Sequence, residues 1–260
     1  MLGAIIGDIV GSTYEFAPTK SYNFELLPAG STYTDDSIMC VAVADAIMHG
    51  IGFAAAMQHW GRKYPTPKGS YGGNFAAWLR SANPTPYYSY GNGSAMRVAA
   101  IGWAGDNLLD VQLKAYTSAE CTHNHPEGIK GAVATATAVY LARCGHSKAD
   151  IKQRIEQQFS YDLSFDLLEL KRTYGFDESC MGTVPVAIKC YLESEDFEDA
   201  IRLAVAMGGD ADTLGCITGA IAEAGYGTHA IPTPLFEAAM NELPADMREI
   251  VVEFIERYQR

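Results

Sequence analysis

The chain has 260 residues, 48% of them hydrophobic, and a formal net charge of −12. That length holds a sizeable core in one large domain or two small ones. The acidic balance, with no basic run to neutralise phosphates, argues against a nucleic-acid binder. An anionic ligand must therefore be held by local donors and metal against an unfavourable overall field. No apolar run reaches the roughly 18 residues of a membrane span. The start, Met1 to Asp8, lacks the basic segment of a signal peptide, so a cytoplasmic location is expected.

The first element, around Gly7-Asp8-Ile9-Val10, is an apolar helical stretch. An unpaired charge there is expensive, so Asp8 is expected to have a partner inside the protein. Glu15 follows this helix and is placed to reach a site, although a solvated glutamate is the simpler reading of it alone. Thr34-Asp35-Asp36-Ser37 comes next, directly before a helix over Asp36 to His49 that is apolar nearly all round. One aspartate suffices to cap that helix. Two adjacent carboxylates repel, and one pKa should rise unless a cation is near.

The segments Pro65 to Gly73 and Asn83 to Gly93 are rich in Pro, Gly, Asn and Tyr and read as loops that carry binding groups. The second runs into Gly91-Asn92-Gly93-Ser94-Ala95-Met96-Arg97, a glycine-rich entry to a helix whose amides suit phosphate. It lacks the lysine of a Walker motif. Ser94 also reads as a plain cap, and Arg97 adds a cationic partner. His123-Asn124-His125-Pro126 sets two imidazoles before a Gly, Ala and Thr-rich helix over Gly128 to Arg143. Small residues there allow close helix approach. Cys121 beside these histidines lacks the second ligand cluster of a zinc site.

Helices follow over Met181 to Leu192 and Phe197 to Met207. Then comes Gly208-Gly209-Asp210-Ala211-Asp212-Thr213, leading into Asp212 to Ala224 with Gly215 and Gly219 four apart. Glu237 to Met240 and Asp246 to Arg257 close the chain, the last after the start signal Pro244-Ala245-Asp246. Strand alternation is absent. The expectation is an all-α fold, one compact helical domain over residues 1–260 with no internal repeat. The six cysteines form no C-x-x-C pair and are read as reduced, small, buried side chains.

Both acidic segments crowd carboxylates and a hydroxyl into a few residues. That donor set suits hard divalent cations such as Mg²⁺ or Mn²⁺. In the second segment Gly208 and Gly209 open backbone conformations that help turn several oxygens to one point. Either segment alone also reads as a helix cap; the two together, if they meet, make a metal centre.

Taken in order, Gly7-Asp8 with Glu15, Thr34-Asp35-Asp36-Ser37, Gly91 to Arg97, Thr122-His123 and Gly208 to Thr213 resemble the ADP-ribosylglycohydrolase family. The matches span nearly the whole chain. The resemblance implies an all-helical domain with a dinuclear Mg²⁺ or Mn²⁺ centre. By the family's pattern Thr34, Asp35, Asp36, Asp210, Asp212 and Thr213 are the ligands, and Glu15 is a ligand or gate. Gly91, Asn92, Gly93, Ser94, Met96 and His123 would line an ADP-ribose cleft. Ser37 stands where many relatives carry Thr, and the hydroxyl is kept.

The implied reaction is hydrolysis at C1″ of ADP-ribose on a modified protein or a small-molecule acceptor, with Asp35 or Asp36 taking a proton from water. Two other classes share such a site: a metal-dependent phosphohydrolase acting on a nucleotide or sugar phosphate, and a non-catalytic ADP-ribose binder. The acceptor, the choice of metal and the oligomeric state are not written in the sequence.

Overall fold

The computed structural model describes residues 1–259. Among them the chain is all-α. It runs α1 (Leu2–Gly11), α2 (Asp35–His49), α3 (Phe53–Lys63), α4 (Gly73–Arg80), α5 (Gly93–Met96), α6 (Ala99–Ala104), α7 (Leu108–Glu120) and α8 (Pro126–Arg143). It continues through α9 (Lys148–Phe159), α10 (Leu167–Thr173), α11 (Cys180–Glu193), α12 (Phe197–Val205), α13 (Ala211–Tyr226), α14 (Thr233–Glu242) and α15 (Ala245–Tyr258). Two isolated β-bridges, Thr34 with Lys68 and Gly91 with Ser179, are the only strand-like pairings among the described residues. Among the described residues no helix is long and apolar enough to cross a membrane.

Helices α1 and α13 form the axis of the fold. Every residue of α1 is buried, and α13 is buried from Ala211 to Ala224. They run antiparallel with small residues opposed: Gly3 meets Gly219, Gly7 meets Gly215, and Gly11 meets Ala211. A Cβ on Gly7 would lie 1.9 Å from the Gly215 carbonyl oxygen, and one on Gly215 would lie 2.4 Å from that of Gly7. The backbones touch there, so side-chain bulk cannot be accommodated without moving a helix. At one end of this pair the Met1 amine and the Gly3 amide both donate to the buried Glu223 carboxylate, at 2.5 and 2.9 Å.

Helix α8 is the second central element, packed against α5, α6, α7, α11 and α13. Its Gly131 leaves room for Cys180 of α11: a Cβ there would lie 2.4 Å from the Cys180 sulfur. The close approach expected of this Gly, Ala and Thr-rich segment is present. Cysteines 40, 180, 190 and 216 are buried and unpaired as expected. The expectation fails for Cys144, which is exposed, and for Cys121, which is half-buried. Both lie at helix C-termini, where the chain leaves the core.

Most helices foreseen in the sequence appear within a residue or two. Six unforeseen ones, α3, α4, α6, α7, α9 and α10, fill the stretches between. The last of the α1 residues and the first of the α2 and α13 residues converge at one end of the axis, and this convergence builds the site.

Candidate metal centre

Asp8 is the pivot. It is fully buried, and its carboxylate accepts from the Thr34 amide at 2.9 Å, the Thr34 hydroxyl at 2.8 Å, the Ser37 amide at 3.0 Å and the Ser37 hydroxyl. These bonds fasten the N-terminus of α2 to α1 and supply the partner its burial demands. Burial raises its pKa while the four hydrogen bonds oppose that rise. Thr34 also caps α2, its oxygen accepting from the Asp36 amide at 3.2 Å. One lone pair of that hydroxyl is left over.

With α2 so anchored, Asp35 and Asp36 face Asp210, Asp212 and Thr213 from the start of α13, together with Glu15 from the turn after α1. All six line one cleft of about 760 Å³. Ligand atoms of Glu15, Asp210 and Asp212 lie within 4.8 Å of one another. Asp210 is oriented by Asn92, whose side-chain amide donates to it at 2.7 Å and to the Thr183 hydroxyl at 3.0 Å. The side chain of Asn92, read as a ligand contact in the sequence, is thus spent on holding a carboxylate.

The cluster is short of countercharge: Lys68 acts on Asp212, Glu15 and Asp8 but pairs directly with none of them. Burial, then the neighbouring Asp8, raises the pKa of both Asp35 and Asp36 well above the carboxylate range. Asp35 as a residue is partly exposed, yet its carboxyl is the part turned into the cluster. Burial, then Asp210 and Asp36, does the same to Asp212. Glu15 is pushed up to about 7 by burial and by Asp210, with Lys68 pulling weakly the other way. Asp36 Oδ1 and Glu15 Oε2 are buried with no hydrogen-bond partner. Orphaned carboxylate oxygens in a ring of like charge are what a divalent cation satisfies, so the donor set fits an oxygen-ligated metal.

Opposite the acids stands the loop Gly91 to Met96 with His123. The histidine is nearly buried, and its Nε2 would lie 3.3 Å from a Cβ on Gly93 and 3.6 Å from one on Gly91. Burial and Arg97 hold its imidazole well below its usual pKa, so it is neutral. Gly91, Asn92, Gly93 and Met96 line the cleft as expected. Ser94 does not: it is fully buried and donates to the Gly128 carbonyl at 2.7 Å, tying α5 to α8. Arg97, read as a cation for the loop, also lines the cleft, while its Nη2 donates to the Ser118 carbonyl at 2.6 Å. His125 also leaves the site, since its Nδ1 caps α8 by accepting from the Glu127 amide.

Sequence reasoning missed the far wall, Phe176 to Ser179, which carries no local signature beyond Ser179 as the cap of α11. It flagged the loops holding Ser70 and Tyr88 but not those residues. Both line the cleft with left-handed backbones, φ 70° and 57°, a strain that concentrates at functional sites.

The family profile described as ADP-ribosylglycohydrolase matches residues 1–260. The chain belongs to the ADP-ribosylglycohydrolase family. Relatives of the chain include ADP-ribosylhydrolase ARH3 of Homo sapiens, 28% identical over an alignment covering 89% of this chain and 85% of the relative. ADP-ribosylarginine hydrolase Tri1 of Pseudomonas putida (strain GB-1) is 26% identical, over 89% of this chain and 71% of its own. A solved structure titled ADP-ribosylglycohydrolase-related protein complex superposes with a TM-score of 0.73 over 98% of this chain and 96% of that one. At 24% identity, that match speaks for the ADP-ribosylglycohydrolase fold alone.

Proposed function

We propose that the protein is a metal-dependent ADP-ribosyl hydrolase, cleaving the glycosidic bond at C1″ of ADP-ribose on a modified protein or a small-molecule acceptor. The observation that carries this reading is the meeting of both acidic segments and Glu15 in one cleft, with buried carboxylate oxygens left unpartnered. Family membership and the names of the ARH3 and Tri1 relatives support the substrate class.

Asp35, Asp36, Asp210 and Asp212, with the hydroxyls of Thr34 and Thr213, would hold two divalent cations, Mg²⁺ or Mn²⁺. The chemistry supplied by cations bound there is neutralisation of the carboxylates and activation of a water. Asp35 or Asp36 takes the proton of the attacking water. Without metal, burial and Asp210 push Glu15 up to about 7; cations bound beside it would favour its ionised form at the same edge of the cleft. Glycosidic cleavage passes through an oxocarbenium-like transition state, which the acidic wall favours electrostatically. The glycine-rich loop faces the acids and offers a surface without Cβ atoms at Gly91 and Gly93, against which a pyrophosphate can lie close to backbone. Asn92 keeps Asp210 in place.

The test is a panel of ADP-ribosylated arginine, serine, ester, nucleobase and poly-ADP-ribose substrates, incubated with the protein in Mg²⁺ or Mn²⁺. Release of free ADP-ribose from at least one linkage is expected. Cleavage at a phosphate bond instead, or tight ADP-ribose binding with no turnover on any linkage, would replace this reading with a phosphohydrolase or a binder.

A further inference from the structure

Arg97 is 1% exposed, and its Nη2 donates to the Ser118 carbonyl at 2.6 Å and to the Thr122 hydroxyl at 2.9 Å. Among the described residues no ion pair includes Arg97, and burial lowers its pKa against the opposing pull of Cys121, Tyr87, Cys180 and Cys40. A buried guanidinium without an anion is costly to keep, so its position calls for a reason. Thr122 Oγ1 lies 2.7 Å from His123 Nδ1. The imidazole's other nitrogen faces the Gly91 and Gly93 wall of the cleft.

The direction of the Thr122–His123 bond follows from counting protons. Arg97 only donates, so the Thr122 oxygen accepts from it. The hydroxyl's single proton then has two destinations. One is the Ala119 carbonyl, 3.4 Å away and already accepting from the Thr122 and His123 amides at 3.1 and 2.7 Å. The other is His123 Nδ1, much closer and otherwise without a donor. A cation donating to the hydroxyl also polarises it and makes it the stronger donor. The proton goes to Nδ1, and the ring proton is left on Nε2.

We propose that Arg97 is a positioning residue: through Thr122 it locks His123 in the Nε2–H tautomer, so that the cleft is offered a hydrogen-bond donor for an oxygen of the ligand lying against Gly91 and Gly93. The depressed basicity of His123 agrees with this, since a neutral ring has a tautomer to set. The ligand half of the inference rests on the ADP-ribosyl reading; the tautomer half does not.

The experiment is the ring-nitrogen NMR spectrum of the full-length protein labelled with ¹⁵N-histidine, with the His123 signals assigned by their loss in His123→Gln. The wild type is expected to show the Nε2-protonated pattern, and Thr122→Ser, which keeps the hydroxyl, to retain it. Thr122→Val, matched in shape, and the neutral Arg97→Met and Arg97→Gln are expected to populate the Nδ1-protonated form. ADP-ribose affinity by calorimetry should fall about tenfold in Thr122→Val, as for one lost hydrogen bond, and be restored in Thr122→Ser. An Nδ1-protonated ring in the wild type overturns the proposal, as does an unchanged ring in Thr122→Val or in whichever Arg97 variant folds. A shifted ring with unchanged affinity removes the ligand half. Absence of ADP-ribose binding by the wild type sinks the functional reading while the ring result still decides the tautomer.

Discussion

At the end of the α1–α13 pair nearest residue 1, Glu223 is fully buried and meets a positive charge, the Met1 amine, with the Gly3 amide and the Gln259 side chain beside it. At the other end, Glu15, Asp36 and Asp212 are buried or half-buried among like charges, and two of their oxygens meet nothing. The two ends of this helix pair thus hold one carboxylate with a countercharge in the chain and a group, drawn from α2, α13 and the turn after α1, that on the proposed reading takes its countercharge from solution. On the proposed reading the difference separates a structural charge from a functional one: the first is compensated within the fold, the second by bound cations.

The sharpest way to break this contrast is to truncate the uncompensated end. Asp212→Ala is expected to abolish Mg²⁺ and Mn²⁺ binding by calorimetry and to lower kcat/KM by roughly a thousandfold, about 4 kcal/mol of transition-state stabilisation. Its thermal midpoint without metal should rise, because a repelling buried charge is gone. Glu223→Gln should do the reverse. Leaving the buried amine unpaired costs roughly 3 kcal/mol of stability in denaturant titrations, with cation affinity unchanged. A Glu223→Gln protein that loses cation binding but keeps its stability would erase the distinction.

Asn92→Ala is a smaller perturbation, removing the amide that orients Asp210. Loss of such a partner typically weakens metal affinity roughly 10–100-fold, and the variant should remain folded. An unaltered affinity would mean Asp210 holds its place unaided.

The smallest effect is a slope. Glu15 titrates near 7 in the folded chain against a usual 4.5, so between those values the folded state binds the extra proton. Stability from this group is complete below about 4.5 and is lost as pH rises through about 7. Asp35, Asp36 and Asp212 act in the same direction. Metal-free protein should therefore melt higher at pH 6 than at pH 8, and saturating Mg²⁺ or Mn²⁺ should flatten that slope. His123 works against it: held neutral in the fold, it favours unfolding as pH falls below its usual 6.5. His123→Gln should steepen the metal-free slope there. Calorimetric midpoints across pH, with and without metal, check all three statements.

What the sequence made legible was local chemistry. Asp35, Asp36, Asp210 and Asp212 stood out because carboxylates and hydroxyls crowd into single helix starts, and Asp8 because a charge inside an apolar helix needs a partner. The helices missed include some with a readable pattern: α3 is amphipathic over 11 residues, and α9 carries a capping box at Ser147 and Asp150 that marks its start. Directions of side chains were not legible. Ser94, Arg97 and His125 sit in the right motifs, yet turn to Gly128, to Ser118 and Thr122, and to the α8 amide, since neighbours 21 or more residues away compete for Ser94 and Arg97. Likewise the pairing of Gly3 and Gly7 with Gly219 and Gly215 depends on partners far along the chain.

That glycine seam also sets an order of events. Gly3 and Glu223 meet across 220 residues, and the seam has no side chains with which a partial pairing could hold. During synthesis α1 is made before α13, and although Asp8 can tie it to α2, most of its buried surface lacks a partner until α13 has left the ribosome, so it waits as a largely apolar segment open to chaperones. Asp8 and Glu15 cannot join Asp210 and Asp212 before that moment. Cation uptake should therefore be among the last steps of maturation, and its appearance in a refolding or translation time course would report closure of the seam rather than formation of any single helix.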